Sequence, residues 1–227
     1  MLNLMAAAAL FLAVHVVPSS PVRAWALEHI GARAYMAAFG VVSLSVFVWL
    51  VMAFGAAPAS EPLYVTGGLV RLLGAAAMLV AFVLLVAGVA SPNPSMPGGE
   101  RALWGSEPWR GIFAITRHPV MWGIGLWAVV HVLNRPDSAG LIFFGALALL
   151  SIGGAKIQEM RKRIEIGQAW EAFAAHTSFI PFAAIIDGRA RFSLSDVSPW
   201  RLAGGVALWA IMLSQHNAIF GVTPLPF

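Results

Sequence analysis

The stretch Gly67–Ala90, GGLVRLLGAAAMLVAFVLLVAGVA, decides the fold, because it runs for 24 residues with one charge, Arg71. As a helix rising 1.5 Å per residue it is about 36 Å long, enough to cross a hydrocarbon layer of about 30 Å. Working outward, five further apolar runs approach the same length: Leu2–Val17, Tyr35–Ala56, Pro119–Leu133, Leu141–Ala155 and Leu202–Ile219. A mean hydropathy of +0.81, with 59% hydrophobic and 11% charged residues, is more apolar surface than one soluble core of 227 residues can hide. The sequence therefore predicts an all-α, polytopic membrane bundle of about six transmembrane helices, forming a single domain over 1–227. The first run has no basic residue before it, which predicts a retained helix rather than a signal peptide.

Charge sorting agrees with six spans. Twelve of the fourteen Lys and Arg fall in three alternate connections, leaving Arg71 and Arg135 for the other side. By the positive-inside rule those connections are cytoplasmic and both termini lie outside, as expected in a bacterial inner membrane. The basic balance thus reports topology and anionic headgroups, and gives no reason to expect nucleic acid. With no cysteine, disulfides, thiolate zinc sites and thiolate-ligated haem are excluded. No phosphate loop or nucleophile triad is present, and the spans lack the clustered Asp and Glu of a proton-coupled transporter.

Two connections are more than links. Ser91–Gly99 holds three prolines and two glycines and predicts a loop. Lys156–Glu171 predicts an amphipathic helix that continues the fifth span and presents Arg161, Lys162 and Arg163 to headgroups.

The chemistry-bearing residues are histidines. His29 and His176 lie in polar surroundings and read as exposed, whereas His15, His118, His131 and His216 sit in or at the ends of apolar runs. His15 shares a helix face with Ala7, Ala8 and Phe11, which suits close packing or a flat cofactor. His118 and His131 belong to one helix but lie about 20 Å apart along it, so each needs a partner on another span. Arg117 and His118, before Pro119 at a helix start, read either as an interfacial helix terminus or as a partner for a carboxylate.

The run Thr116-Arg117-His118-Pro119-Val120-Met121-Trp122-Gly123, followed by Trp127-Ala128-Val129-Val130-His131 and by His176-Thr177-Ser178-Phe179-Ile180-Pro181-Phe182, resembles the NnrU family. That family includes a plant carotene isomerase as well as bacterial members associated with denitrification. The resemblance implies haem b as cofactor, a long apolar polyene as substrate and isomerase or redox activity, with His15 and His131 as metal ligands. Supporting a nitrite or nitric oxide reductase as an accessory protein is the alternative it implies. A cysteine that the plant motif carries three residues before the second histidine is Ala128 here.

The residues themselves leave the pairing open. A first helix continuing past Pro18 puts His15 and His131 about 12 Å apart in depth, whereas a helix broken there puts His15 level with His118 and His131 level with His216. Arg117, His118 and His216 accordingly join the candidate cofactor-binding residues. The Arg-His-Pro turn with its basic segment also resembles the isoprenylcysteine carboxyl and phospholipid methyltransferases, which use S-adenosylmethionine. Met121 replaces their tyrosine, and their paired glutamates are absent.

Overall fold

The computed structural model describes residues 1–226, and every regular element among them is helical. Helix α1 (Leu2–Val16) ends in a short 3-10 turn, Val17–Ser19, because Pro18 cannot continue the backbone hydrogen-bond ladder. Helix α2 (Pro21–Gly55) starts on a proline, whose fixed φ suits a first helical position, and kinks at Gly31, where φ 77° and ψ 163° favour glycine. Then follow α3 (Gly68–Ala90), a proline-rich loop, a single turn α4 (Ile112–Ile115) and α5 (Pro119–Asn134). The chain continues with α6 (Ser138–Ile166), α7 (Gln168–Ala175), the turn α8 (Ala183–Ile186) and α9 (Pro199–Phe220).

Four of these helices, α1 with its 3-10 turn, α2, α3 and α6, are long and apolar enough to cross a membrane. Six were expected. Helix α5 has sixteen residues, about 24 Å, which is short of the layer. Helix α9 has the length, but Ser214, Gln215, His216 and Asn217 dilute its last turns. The amphipathic segment expected over 156–171 is divided, since α6 runs on to Ile166 and Gly167, at φ 64°, turns the chain into α7.

Helix α3 packs against both α5 and α9, α5 against α6, and α1 against α2 and α6. Glycines set the close approaches. A Cβ on Gly123 would lie 2.8 Å from the Ala81 carbonyl oxygen, and one on Gly205 2.7 Å from Val83 Cα, so these backbones meet where only hydrogen fits. The three basic connections gather at one end of the bundle. There Arg161 donates to the Pro18 carbonyl and Lys162 to that of Pro94, while Arg117 reaches Glu159. At the opposite end Tyr64 donates to the Val132 carbonyl, and Leu63 N–H to that of Pro136.

Candidate functional site

At the basic end, α6 carries two different faces. Ala155, Glu159 and Lys162, spaced by four and three residues, turn toward the loops and are buried. Glu159 accepts a bidentate pair from Arg117, Nε at 3.2 Å and Nη2 at 3.0 Å, while Arg117 Nη1 donates to the Thr177 carbonyl at 2.9 Å. Lys162, 1% exposed, donates at 2.7 Å to both the Pro94 carbonyl and Glu100, and so pins the proline-rich loop. Ser95 donates to the Arg117 carbonyl, closing the clasp from the loop side.

His118, also 1% exposed, lies between Trp170 and Phe179, with Nε2 3.5 Å from Glu159 Oε2. That contact lacks hydrogen-bond geometry, so among the described residues neither ring nitrogen has a hydrogen-bond partner. Burial holds the imidazole below its ordinary value of 6.5, against the opposing pull of Glu159. Burial also works to raise the Glu100 carboxyl, but the hydrogen bond and charge of Lys162 outweigh it and leave Glu100 below its ordinary 4.5.

Two expectations change here. The carboxylate that Arg117 pairs with is the chain's own Glu159 rather than a ligand's. Lys162, expected at the headgroups, is buried over Trp170 instead. Sequence reasoning missed Glu159 and Lys162 as buried groups, although the four-three spacing with Ala155 was the available signal.

The other face of α6 opens on a cavity of about 1040 Å³ between α1, α2, α3, α5 and α6. Phe11, Phe47, Phe82, Trp127 and Phe143 give it an apolar body, while Arg23, Arg161 and Glu165 form a charged end. Glu165 bridges the two arginines, at 2.8 Å to Arg23 and 3.7 Å to Arg161. Gln158, Tyr35 and Ser43 also line this space.

The histidines divide by position. His15 lines the cavity toward its charged end and packs on Phe11 and Phe39, with Nδ1 2.7 Å from the Phe11 carbonyl oxygen. His131 lies one turn beyond Trp127 at the far end, its ring 4.7 Å from that of Phe144, which in turn contacts Phe54. Phe39 and Phe54 stand fifteen residues apart on α2, so His15 and His131 are separated by roughly 20 Å along the bundle. The early end of α1 at Val16 is the physical reason, and the pair implied by the resemblance does not meet. His131 and His216 do meet, with ring centroids 6.4 Å apart. Their Nδ1 atoms lie 2.8 Å and 2.9 Å from the carbonyl oxygens of Trp127 and Val222, and among the described residues neither Nε2 has a hydrogen-bond partner. The two rings lie 27° from parallel. His118 lies on the Glu159 side of α6. His29 and His176 are exposed as expected, each stacked on a tryptophan.

The NnrU family model, described as NnrU protein, matches residues 3–224. This chain belongs to the NnrU family. Over 79 residues it is 39% identical to the chloroplastic 15-cis-zeta-carotene isomerase of Zea mays and 35% identical to that of Arabidopsis thaliana. Each match covers 35% of the chain and 22% of the relative, so the matched region spans about a fifth of those proteins. No solved structure matches the chain.

Proposed function

We propose that this NnrU protein is a membrane isomerase acting on a long apolar polyene that enters the cavity from the bilayer. The observation that carries the reading is the cavity itself. At about 1040 Å³ it has the capacity of a large ligand site, and its aromatic walls from Phe11 to Trp127 suit an extended hydrocarbon. The names of the two plant relatives supply the reaction class. Such a site contributes by excluding water, and by holding the chain of double bonds against Phe47, Phe143 and Trp127 so that one bond is presented for rotation.

Haem b is the cofactor that accords with this reading, and His131 with His216 are the residues that would hold it. When bound, haem supplies an iron that exchanges electrons with a neighbouring conjugated system. Trp127 links the two parts, because its side chain closes the far end of the cavity while its carbonyl orients His131.

Expression in a carotenoid-producing bacterium that accumulates a 15-cis polyene for want of its isomerase tests the function. Chromatography of the pigments should show conversion to the trans isomer at that bond, and an unchanged isomer ratio with the protein present in the membrane overturns the reading. An absorption spectrum of detergent-purified protein tests the cofactor. A Soret band lost in His131→Ala and in His216→Ala but kept in His15→Ala is expected. A colourless preparation from haem-replete cells removes haem from the proposal.

A further inference from the structure

Helix α2 meets the cavity in two different parts. From Ala32 onward it forms a wall, with Tyr35, Phe39 and Phe47 on the cavity, whereas Pro21–Ile30, about 15 Å long, lies at the charged end. Breaks in the helix bound this short segment. Gly31, at φ 77° and ψ 163°, holds a backbone conformation essentially confined to glycine, and an added Cβ there would meet nothing within 4 Å. Ser20, at φ −106° and ψ 165°, is extended after the 3-10 turn. Arg23, Ala26 and Leu27 share a face by helical spacing: Arg23 and Leu27 line the cavity, and Ala26 is the one buried residue between Pro21 and Ile30. Val22, Trp25 and His29 stand exposed on another face, the last two with rings stacked at 4.6 Å. Such a face suits the membrane–water interface. Among the described residues a single ion pair joins the segment to the rest of the bundle, Arg23 to Glu165 at 2.8 Å, with side chains 30% and 37% exposed.

We infer that Pro21–Ile30 is the lid of the cavity, latched shut by Arg23 on Glu165, and that its release opens a portal to the leaflet at the basic end of the bundle. A partly exposed ion pair is a weak tie, because water competes for both charges. A core-packed segment would surrender buried apolar area in order to move, whereas this one surrenders little beyond Ala26 and keeps its Trp25 face in the interface. Arg161 holds the Pro18 carbonyl at 3.4 Å on one side, and the α2 wall begins at Ala32 on the other. The lid therefore rocks between Ser20 and Gly31 and stays attached to the bundle. A polyene carries no charge to pair with Arg23 or Glu165, so the latch acts on passage and leaves affinity to the aromatic walls. The inference rests on the reading of this cavity as the ligand seat and adds the route by which the ligand reaches it.

The chain has no cysteine, so access to the cavity can be read at a single introduced thiol. Gly154 lines the cavity, and a Cβ there meets only Leu150 at 3.6 Å, while the neighbouring Gly153 is exposed with nothing within 4 Å. The test measures labelling of Gly154→Cys and of Gly153→Cys by N-pyrenylmaleimide, a bulky apolar reagent, in the full chain reconstituted into phosphatidylcholine vesicles. Gly154→Cys should react more slowly than Gly153→Cys. Adding Arg23→Gln or Glu165→Gln should speed labelling of Gly154→Cys about threefold, as expected for loss of a weak ion pair, and leave Gly153→Cys unchanged. Arg23→Glu combined with Glu165→Arg rebuilds the pair with reversed charges and should restore the slow rate. Gly31→Ala, which disfavours the native hinge conformation, should also speed labelling of Gly154→Cys. Equal rates at the two thiols in the chain with its latch intact overturn the inference, as does a Gly154→Cys rate unmoved by both latch variants. An equal rise at Gly153→Cys, or no restoration in the charge-reversed pair, also overturns it, because the bundle has then loosened as a whole. Failure here is separable from failure of the isomerase reading. A chain that isomerises the polyene without latch-dependent access loses only the lid, and one with latch-dependent access but no isomerisation loses only the function.

Discussion

Gln158 and Arg161 lie one residue before Glu159 and Lys162 on the same helix, yet the two faces of α6 solve burial in opposite ways. On the loop face every charge is answered: Glu159 by Arg117, Lys162 by Glu100 and two carbonyls. On the cavity-lining side, Gln158 Oε1 and Arg161 Nε are buried with no hydrogen-bond partner among the described residues. The clasp also has unpartnered atoms among the described residues, His118 Nδ1 and Nε2 and Trp170 Nε1, so the two faces differ in how their charges are paired rather than in whether every polar atom is satisfied. Tightly paired charge marks the clasp that fixes the loops, whereas at the cavity mouth Arg161 lies 3.7 Å from Glu165.

The largest expected effect breaks the clasp. Glu159→Ala strands a buried guanidinium and should lower stability by about 3–5 kcal/mol, read from thermal or denaturant unfolding in detergent. Gln158→Leu, on the neighbouring face, removes a buried unpartnered oxygen and should leave stability unchanged or slightly raised. Similar losses for the two would erase the distinction between the faces.

A smaller effect sharpens the contrast between the tight and open sides of the bundle. Gly123→Ala forces a methyl against the Ala81 carbonyl and the Leu85 amide nitrogen, and overpacking of this kind costs about 1–3 kcal/mol. Gly145→Ala meets nothing within 4 Å and should gain a few tenths of a kcal/mol, up to about 1 kcal/mol, from helix propensity. Unfolding temperatures of the pair check the order, and a neutral Gly123→Ala would contradict the close α3–α5 approach.

The smallest effect is a pH dependence confined to the clasp. His118 is held below 6.5 in the folded chain, so below that pH the unfolded chain binds more protons and stability falls as pH falls. Glu100 is held below 4.5, so its contribution is present above that value and is lost as pH drops through the lower folded one. Unfolding midpoints measured from pH 8 to pH 4 should decline first near 6.5 and again below 4.5. His118→Phe should remove the upper step and keep the lower, and retention of both steps would exclude His118 as their source.

Much of this arrangement was legible in the chain. The run Gly67–Ala90 appears as α3 almost to the residue, and Pro119 opens a helix as its fixed φ requires. The three basic connections gather at one end as charge sorting expects. His15 is where local reading stopped at two open pairings, because residue spacing carried no decision on whether Pro18 would end α1 early or merely bend it. Lys162 failed for a different reason. Its neighbours Arg161 and Arg163 made it look like a headgroup contact, and only the loop bearing Pro94 and Glu100 supplies the partners that make its burial affordable.

What the sequence determined by itself was the class of solvent and the identity of the helices, since both follow from properties summed over twenty residues at a time: apolar content, helical rise and the placement of proline and charge. What the tertiary structure decided was pairing. That His131 meets His216 rather than His15, that Arg117 is spent on Glu159, and that Gln158 faces a cavity while Glu159 faces a clasp all depend on rotations and depths of helices far apart in the chain. A shift of one residue turns a side chain by about 100° around its helix, so these contacts are fixed only when the helices are packed.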